Sequence, residues 1–251
     1  MKTRLCLIIF FSCMGFNILF SQNITIVTED YPPYNYLDES NTVTGFSTEV
    51  LYEVLNLLNY KYSLESYPWS RAYMMAQRED NVLIYSIGKT KEREDMFKWV
   101  GVIAPFDVYI YSLKSRSDIT INKLEDAKKY KTLTTQNDVR ERYLLSQGFE
   151  IEKHIDNTAN NTLNFEKLLI QRGDLWPIAE LVANYYASTK GYKPEELLKK
   201  QFHIKDLSTE GLYIAFSLKT DDKIVNDFRK ALEKVKKSEK YKQIQQKYGI
   251  N

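Results

Sequence analysis

The chain of 251 residues has only two cysteines, Cys6 and Cys13, and both lie in its first 22 residues. The rest of the chain can form no disulfide bond and must rely on a hydrophobic core for its stability. Histidine is equally scarce, and His154 and His203 lack the spacing of metal ligands. The sequence has no Gly-rich phosphate loop and no Ser-His-Asp nucleophile motif. We therefore expect neither a metal nor a cofactor.

Charge of one sign is not in excess, since 35 Lys and Arg residues face 33 Asp and Glu residues. Nucleic acid or an anionic membrane surface as partner would require a clustered basic excess, so we predict neither. Aromatic side chains are plentiful, with 19 Tyr and 3 Trp. Such flat, amphipathic side chains line small-molecule clefts, although they also fill cores.

Residues 1–22 have the pattern of a secretory signal peptide. Lys2 and Arg4 form a positive end, residues 5–20 are mostly apolar, and Ser21 offers a small residue for cleavage. The apolar stretch is interrupted and short for a bilayer span, which needs roughly 20 residues. We predict removal of this segment on export, with retention as an anchor as the alternative. Loss of Lys2 and Arg4 leaves the mature chain without net charge.

Alternating strand and helix patterns predict an α/β fold. In the first part, strands at 23–28, 61–66 and 82–85 alternate with helices at 46–58 and 68–77. Beyond these, strands are predicted at 106–113, 132–135, 151–155, 175–178, 201–207 and 212–217. Further helices are predicted at 124–130, 139–147, 162–170, 180–188, 222–237 and 240–248.

Aromatic and polar side chains follow the ends of the first three predicted strands. Tyr31 lies in a proline-stiffened loop, Trp69 and Arg71 begin a helix, and Thr90 and Arg93 follow a Ser-Ile-Gly turn. A hydroxyl and a guanidinium at this position suit a carboxylate, because arginine can make two parallel charge-assisted hydrogen bonds. The alternatives are a plug over the core for Tyr31, an ion pair with another part of the chain for Arg71 and an ordinary salt bridge for Arg93.

Two further segments contribute candidates. Asn137, Asp138 and Arg140 stand at a predicted helix start, where free N–H groups can receive an anion or a hydroxyl. Trp176 follows Arg172-Gly-Asp174 and is either a wall of a cleft or part of a core.

Five motifs occur in an order that resembles a known family. They are Tyr31-Pro-Pro-Tyr34 before Gly45-Phe46, Ser86 to Arg93 before Phe97, Glu141 to Leu144 before Gly148, Arg172-Gly-Asp174, and Tyr213 to Ser217 before the last helices. The chain resembles the bacterial extracellular solute-binding proteins of the polar amino acid type (family 3), the periplasmic receptors of ABC importers. The resemblance covers nearly the whole mature chain.

The resemblance implies an α/β, two-lobed periplasmic binding protein fold of type II, in which two crossover strands form the hinge. Lobe 1 would comprise residues 23–106 and 215–251, and lobe 2 residues 107–214 with the crossovers. The lobes would close on a small ligand.

By the same resemblance, Arg93 would bind the carboxylate of the ligand. The Thr90 hydroxyl and backbone groups near Ser86 and Gly88 would assist it. Tyr31 and Trp69 would enclose the ligand side chain, and the helix start at 137–140 would donate hydrogen bonds from lobe 2.

One position departs from the family pattern. An Asp that pairs with the α-ammonium group of an amino acid is replaced here by Ala179, next to Glu180. An unpaired ammonium in a closed cleft is unfavourable. The ligand would then be a carboxylate without that amine, an aromatic or cyclic compound suited to Trp69 and Trp176, or an amino acid contacted by Glu180.

We therefore expect a monomeric periplasmic protein that binds a small carboxylate-bearing solute, an amino acid or a similar compound, and delivers it to an ABC transporter permease. We do not expect an enzyme. Two alternatives remain from the same fold: a sensor for a separate membrane signalling protein, and an enzyme like the cyclohexadienyl dehydratases, with Glu180 or Glu29 as acid–base group.

Overall fold

The computed structural model describes residues 23–208 and 210–250, so the predicted signal peptide and both cysteines lie outside the described residues. The strands are β1 Asn23–Thr28, β2 Tyr36–Leu37, β3 Val43–Thr44, β4 Lys61–Ser66, β5 Val82–Gly88, β6 Phe97–Ala104, β7 Val108–Leu113, β8 Thr132–Thr135, β9 Ile155–Thr158, β10 Trp176–Ala179, β11 Leu198–His203 and β12 Leu212–Ser217. The α-helices are α1 Phe46–Asn56, α2 Trp69–Arg78, α3 Val139–Ser146, α4 Asn161–Leu169, α5 Glu180–Thr189, α6 Pro194–Leu197, α7 Asp222–Lys236 and α8 Glu239–Lys247. Short 3₁₀ helices span Lys91–Met96, Leu124–Lys129 and Lys205–Leu207.

The first lobe is built on a five-stranded sheet in the order β4-β1-β5-β12-β6. Strands β4, β1 and β5 run parallel, and β12 is antiparallel to both of its neighbours. All seven residues of β5 are buried. Leu83 packs in the same cluster as α1 and α7, whereas Ile84 packs with α2. Cover on both faces explains why this strand is a continuous apolar run.

The second lobe contains an antiparallel sheet in the order β10-β7-β11 and a parallel pair, β8 with β9. A bridge between Thr132 and Leu175 links the two. Helix α4 packs against β7, β8 and β10, and α5 follows β10 directly.

The chain crosses between the sheets twice, after β6 and before β12, and the two crossing segments are neighbours. Gly211 has φ 121°, and a Cβ there would lie 2.3 Å from the carbonyl oxygen of Ala104. Nearby, the Val108 amide donates to Ser208 Oγ at 2.9 Å, and the Tyr34 hydroxyl donates to the Pro105 carbonyl at 2.8 Å. The predicted lobe boundary between 214 and 215 falls inside β12; the lobe limits stay a prediction.

The α/β class and most predicted elements are confirmed, with three corrections. The strand predicted at 151–155 begins only at Ile155, because residues 152–154 form a turn in which Glu152 has φ 66°. The strand predicted at 201–207 is β11, which ends at His203 where its pairing with β7 ends. Strands β2, β3 and β6 and helix α6 have no counterpart among the predicted elements. Among residues 23–208 and 210–250, no helix combines the length and apolarity that a bilayer crossing requires.

Candidate functional site

One wall of the site comes from the carboxyl ends of the parallel strands of the first sheet. Glu29 and Tyr31 follow β1, and Ser86 and Gly88 end β5, which pairs with β1. Parallel neighbours end at the same edge of a sheet, so these residues meet there. Ser86 has φ 57°, a left-handed conformation that non-glycine residues rarely adopt. Trp69 reaches the same edge from the first residue of α2.

Arg93 is the buried cation of this wall. Its residue is only 1% exposed, because the 3₁₀ helix after β5 turns the side chain inward against the rings of Trp69 and Tyr73, 5.3 Å and 4.9 Å from the guanidinium carbon. Nη1 donates to the Gly88 carbonyl at 3.2 Å, whereas Nε and Nη2 have no hydrogen-bond partner. Burial lowers the pKa of this guanidinium from its ordinary value. Two buried donors are thus available to an anion.

The opposite wall is the start of α3 in the second lobe. Asp138 caps the helix, with Oδ1 accepting the amides of Arg140 and Glu141, each at 2.8 Å. Asp138 Oδ2 accepts from Nε of Arg140 at 2.8 Å and also from its Nη2. Both residues are buried, at 3% exposure each. The Asp138 carboxylate therefore accepts two hydrogen bonds at each oxygen, and it neutralises the Arg140 guanidinium beside the first lobe.

The two walls touch through direct hydrogen bonds. Trp69 Nε1 donates to the Asn137 carbonyl at 3.0 Å, and Arg140 Nη1 donates to the Tyr31 hydroxyl at 3.2 Å. Arg142 forms an ion pair with Glu92 of the first lobe. The lobes are therefore closed on each other in this structure.

A small chamber remains between the closed walls. Its volume of about 20 Å³ is room for about one water molecule. Its lining consists of Glu29, Tyr31, Trp69, Ser86, Gly88, Arg93, Phe106, Asp138, Val139, Arg140 and Leu212. A solute larger than water binds only when the lobes stand further apart than here. The Ser86 hydroxyl is buried without a partner.

Glu29 is the one acidic side chain of the chamber that the first lobe contributes. Burial raises its pKa to about 8, against the opposing influence of Arg140. The carboxyl is therefore mostly neutral at pH 7 and can donate a hydrogen bond. From the sequence, Glu29 is a candidate only for the acid–base group of an enzyme. Its place after β1, two residues before Tyr31, is the signal that puts it in the site.

Seven of the twelve predicted ligand-binding residues line the chamber: Tyr31, Trp69, Ser86, Gly88, Arg93, Asp138 and Arg140. The structure also brings Phe106, Val139 and Leu212 there, three apolar residues whose sequence carries no chemical signal.

The other five predicted residues lie elsewhere. Arg71 is exposed, with its guanidinium carbon 4.2 Å from the centre of the Tyr67 ring. The Thr90 hydroxyl lies outside the chamber, and Thr90 lines an adjoining open groove of about 210 Å³. Asn137 contributes its backbone carbonyl to Trp69, while its side chain lies at the surface.

Trp176 and Glu180 belong to the body of the second lobe. Trp176 is fully buried, with ring centres of Phe165 and Tyr186 at 5.4 Å and 5.8 Å. Glu180 pairs with Lys200 at 2.7 Å, outside the chamber. Of the two readings of Trp176, the core position is the one found. Within the described part of the chain, no group of three metal-ligating side chains comes together.

Two lobes that meet around a small closed chamber are the arrangement of the type II periplasmic binding protein fold. The family model of the bacterial extracellular solute-binding proteins, family 3, matches residues 24–251. The chain belongs to this family.

The relatives agree with that assignment. The arginine-binding periplasmic protein of Mannheimia haemolytica is 23% identical over 233 residues, which is 91% of each chain. An ancestral arginine-binding protein bound to arginine superposes with a TM-score of 0.78 at 20% identity, over 90% of this chain and 97% of that one. A histidine kinase sensor domain similar to periplasmic binding proteins gives a TM-score of 0.76 at 17% identity, over 90% and 96% of the two chains. These structural likenesses establish the fold.

Proposed function

We propose that this protein is a periplasmic receptor that captures a small carboxylate-bearing solute, an amino acid or a similar compound, and delivers it to an ABC importer. The observation that carries the proposal is the pair of unpartnered, buried donors on Arg93. A buried guanidinium with free donors is costly unless an anion completes its hydrogen bonds. A ligand carboxylate would do so while the lobes close around it.

The remaining chamber residues would orient the rest of the solute. Tyr31 and Trp69 would contact it from the first lobe, and the start of α3 would contact it from the second. The same contacts would couple binding to closure, because the solute would bridge both walls. Arg71, Trp176 and Glu180 lie outside the chamber, and we assign them no ligand contact.

Thermal denaturation with a library of amino acids, amines and small carboxylates tests this proposal. A ligand at saturating concentration should stabilise the protein by a few kcal/mol. Arg93→Ala should abolish that stabilisation, because hydrogen bonds to charged groups contribute about 1.5–3 kcal/mol each. Arg78→Ala removes an exposed arginine of the same lobe and should behave as wild type. If the ligand stabilised Arg93→Ala as much as wild type, Arg93 would not be the group that binds the ligand carboxylate.

The second candidate function is that of a sensor, in which the ligand-loaded protein contacts a separate membrane signalling protein. The structural likeness to a histidine kinase sensor domain favours it. The receptor role is the same in both cases, and the membrane partner differs. Photo-crosslinking of the ligand-loaded protein to membranes, followed by identification of the crosslinked chain, separates them. An importer permease supports delivery, whereas a kinase supports sensing.

We favour binding over catalysis because the family and the matched relatives are binding proteins. Glu29, with its raised pKa in the chamber, is the residue that an acid–base reaction would use. Incubation with prephenate or arogenate provides the check. Product formation that is lost in Glu29→Gln would replace the receptor proposal with an enzymatic one.

A further inference from the structure

Arg140 occupies the space between the two walls with a fully engaged guanidinium. Nε and Nη2 donate to Asp138, and Nη1 donates to the Tyr31 hydroxyl at 3.2 Å. The guanidinium carbon also lies 5.3 Å from the centre of the Tyr31 ring. An aromatic ring and a carboxylate are the groups that recognise a cationic side chain. The chain therefore holds a cation of its own in the cleft.

Little acceptor capacity for a second cation remains in the chamber. Asp138 already accepts four hydrogen bonds, two at each carboxylate oxygen. Ala179, whose backbone contacts the Tyr31 hydroxyl, has no side-chain acceptor. Glu29 is the other carboxyl of the lining, and at pH 7 it is mostly neutral because burial raises its pKa to about 8.

Donors, by contrast, are in excess. Arg93 offers Nε and Nη2, and Ser86 offers its hydroxyl, all buried and unpartnered. With Arg140 balanced by Asp138, the chamber holds one uncompensated positive charge on Arg93. A ligand with a single net negative charge neutralises it, whereas an ammonium or guanidinium group meets Arg140 without a free carboxylate.

We propose that Arg140 is a resident cation that fills the cation subsite of the cleft, so that the ligand is a small carboxylate without an ammonium or guanidinium group. This inference rests on the receptor function proposed above and narrows it.

Chemical rescue tests Arg140 directly, with methylguanidinium at low millimolar concentration as the probe. Wild-type protein should show no rise in melting temperature. Arg140→Ala should be stabilised and should bind methylguanidinium at least about tenfold more tightly than wild type, because Asp138 and the Tyr31 ring become free. Arg172→Ala, which removes an exposed arginine of the second lobe, should behave as wild type.

Arg140→Gln is the second variant, because a neutral amide can still donate to Asp138 if Arg140→Ala fails to fold. It should show a smaller gain in methylguanidinium binding than Arg140→Ala, because the amide leaves Asp138 without a positive charge but still occupies one of its acceptor positions. The absence of a gain in every folded variant would overturn the proposal.

A wild-type comparison needs no variant. Binding to wild-type protein is measured for two sets of compounds. Glutarate and propionate lack an ammonium group, whereas L-glutamate, L-alanine and L-arginine carry one. Binding of L-arginine, L-glutamate or L-alanine to wild type would overturn the narrowed ligand class and leave the receptor function standing. Methylguanidinium rescue without binding of any library solute would support the role of Arg140 and contradict the receptor function.

Discussion

At the level of single residues, the chamber depends on how its buried polar and charged side chains are paired. Arg93 keeps two free donors, Asp138 and Arg140 neutralise each other, and Glu29 retains a proton. The types and order of these residues are visible in the sequence. Their pairing is not, because Asp138 could equally have faced Arg93, and only the folded structure shows that it accepts from Arg140, two residues further along the same helix start.

Glu29 gives a pH-dependent prediction. Its pKa is about 8 in the folded protein and 4.5 ordinarily, so the folded state binds an extra proton between these values. The stability of wild type relative to Glu29→Gln should therefore fall as pH rises from about 5 to about 8 and then level off. We expect Glu29→Gln to be more stable at pH 9 by at least about 1 kcal/mol, since one pKa unit corresponds to about 1.4 kcal/mol.

Denaturant unfolding of both proteins at pH 5, 7 and 9 measures this difference. Glu94→Gln, which removes an exposed carboxyl near the same wall, is the matched control. A difference between wild type and Glu29→Gln that does not change with pH would contradict the raised pKa.

At the element scale, the loop after β1 is held by the start of α1. The Phe46 amide donates to the Pro33 carbonyl and the Ser47 amide to the Tyr34 carbonyl, both at 2.8 Å. This contact requires glycine at position 45, where φ is 114° and a Cβ would lie 2.6 Å from the Tyr34 oxygen. The position of Tyr31 thus depends on a residue fourteen positions further along the chain.

Gly45→Ala should lower the free energy of unfolding by more than about 2 kcal/mol, because it combines a disfavoured φ with a backbone clash. Gly191→Ala is the matched control: φ is 80°, but nothing lies within 4 Å of the added Cβ. That variant should lose only about 1 kcal/mol, the cost of the left-handed conformation alone. Equal losses in the two variants would show that the close approach at Gly45 is unimportant.

At the scale of the whole molecule, function depends on how closely the lobes approach. Gly88 of the first lobe faces Val139 of the second, and a Cβ on Gly88 would lie 3.6 Å from that side chain. A methyl group fits this gap, whereas a larger side chain does not. Closure is therefore limited by side-chain size at this point.

Gly88→Phe should hold the lobes apart and give a larger radius of gyration than wild type in small-angle X-ray scattering, whereas Gly88→Ala should match wild type. Gly88→Phe should also lose stabilisation by any ligand found in the screen, since a solute could no longer contact both walls. A wild-type radius for Gly88→Phe would mean that the two lobes do not meet at Gly88 in solution.

The residue pattern alone was enough to predict the α/β class, the place of most helices and strands, and the polar residues that follow the first strands. These features depend on local periodicity and on the rule that parallel strands present their carboxyl ends at one edge. The folded structure was needed to show that Trp176 is core, that Glu180 pairs with Lys200 outside the chamber, and that Glu29 lies inside it. The physical reason is that the site forms between two lobes: which groups face each other across the cleft, and which remain unpaired there, depends on contacts between segments far apart in the chain.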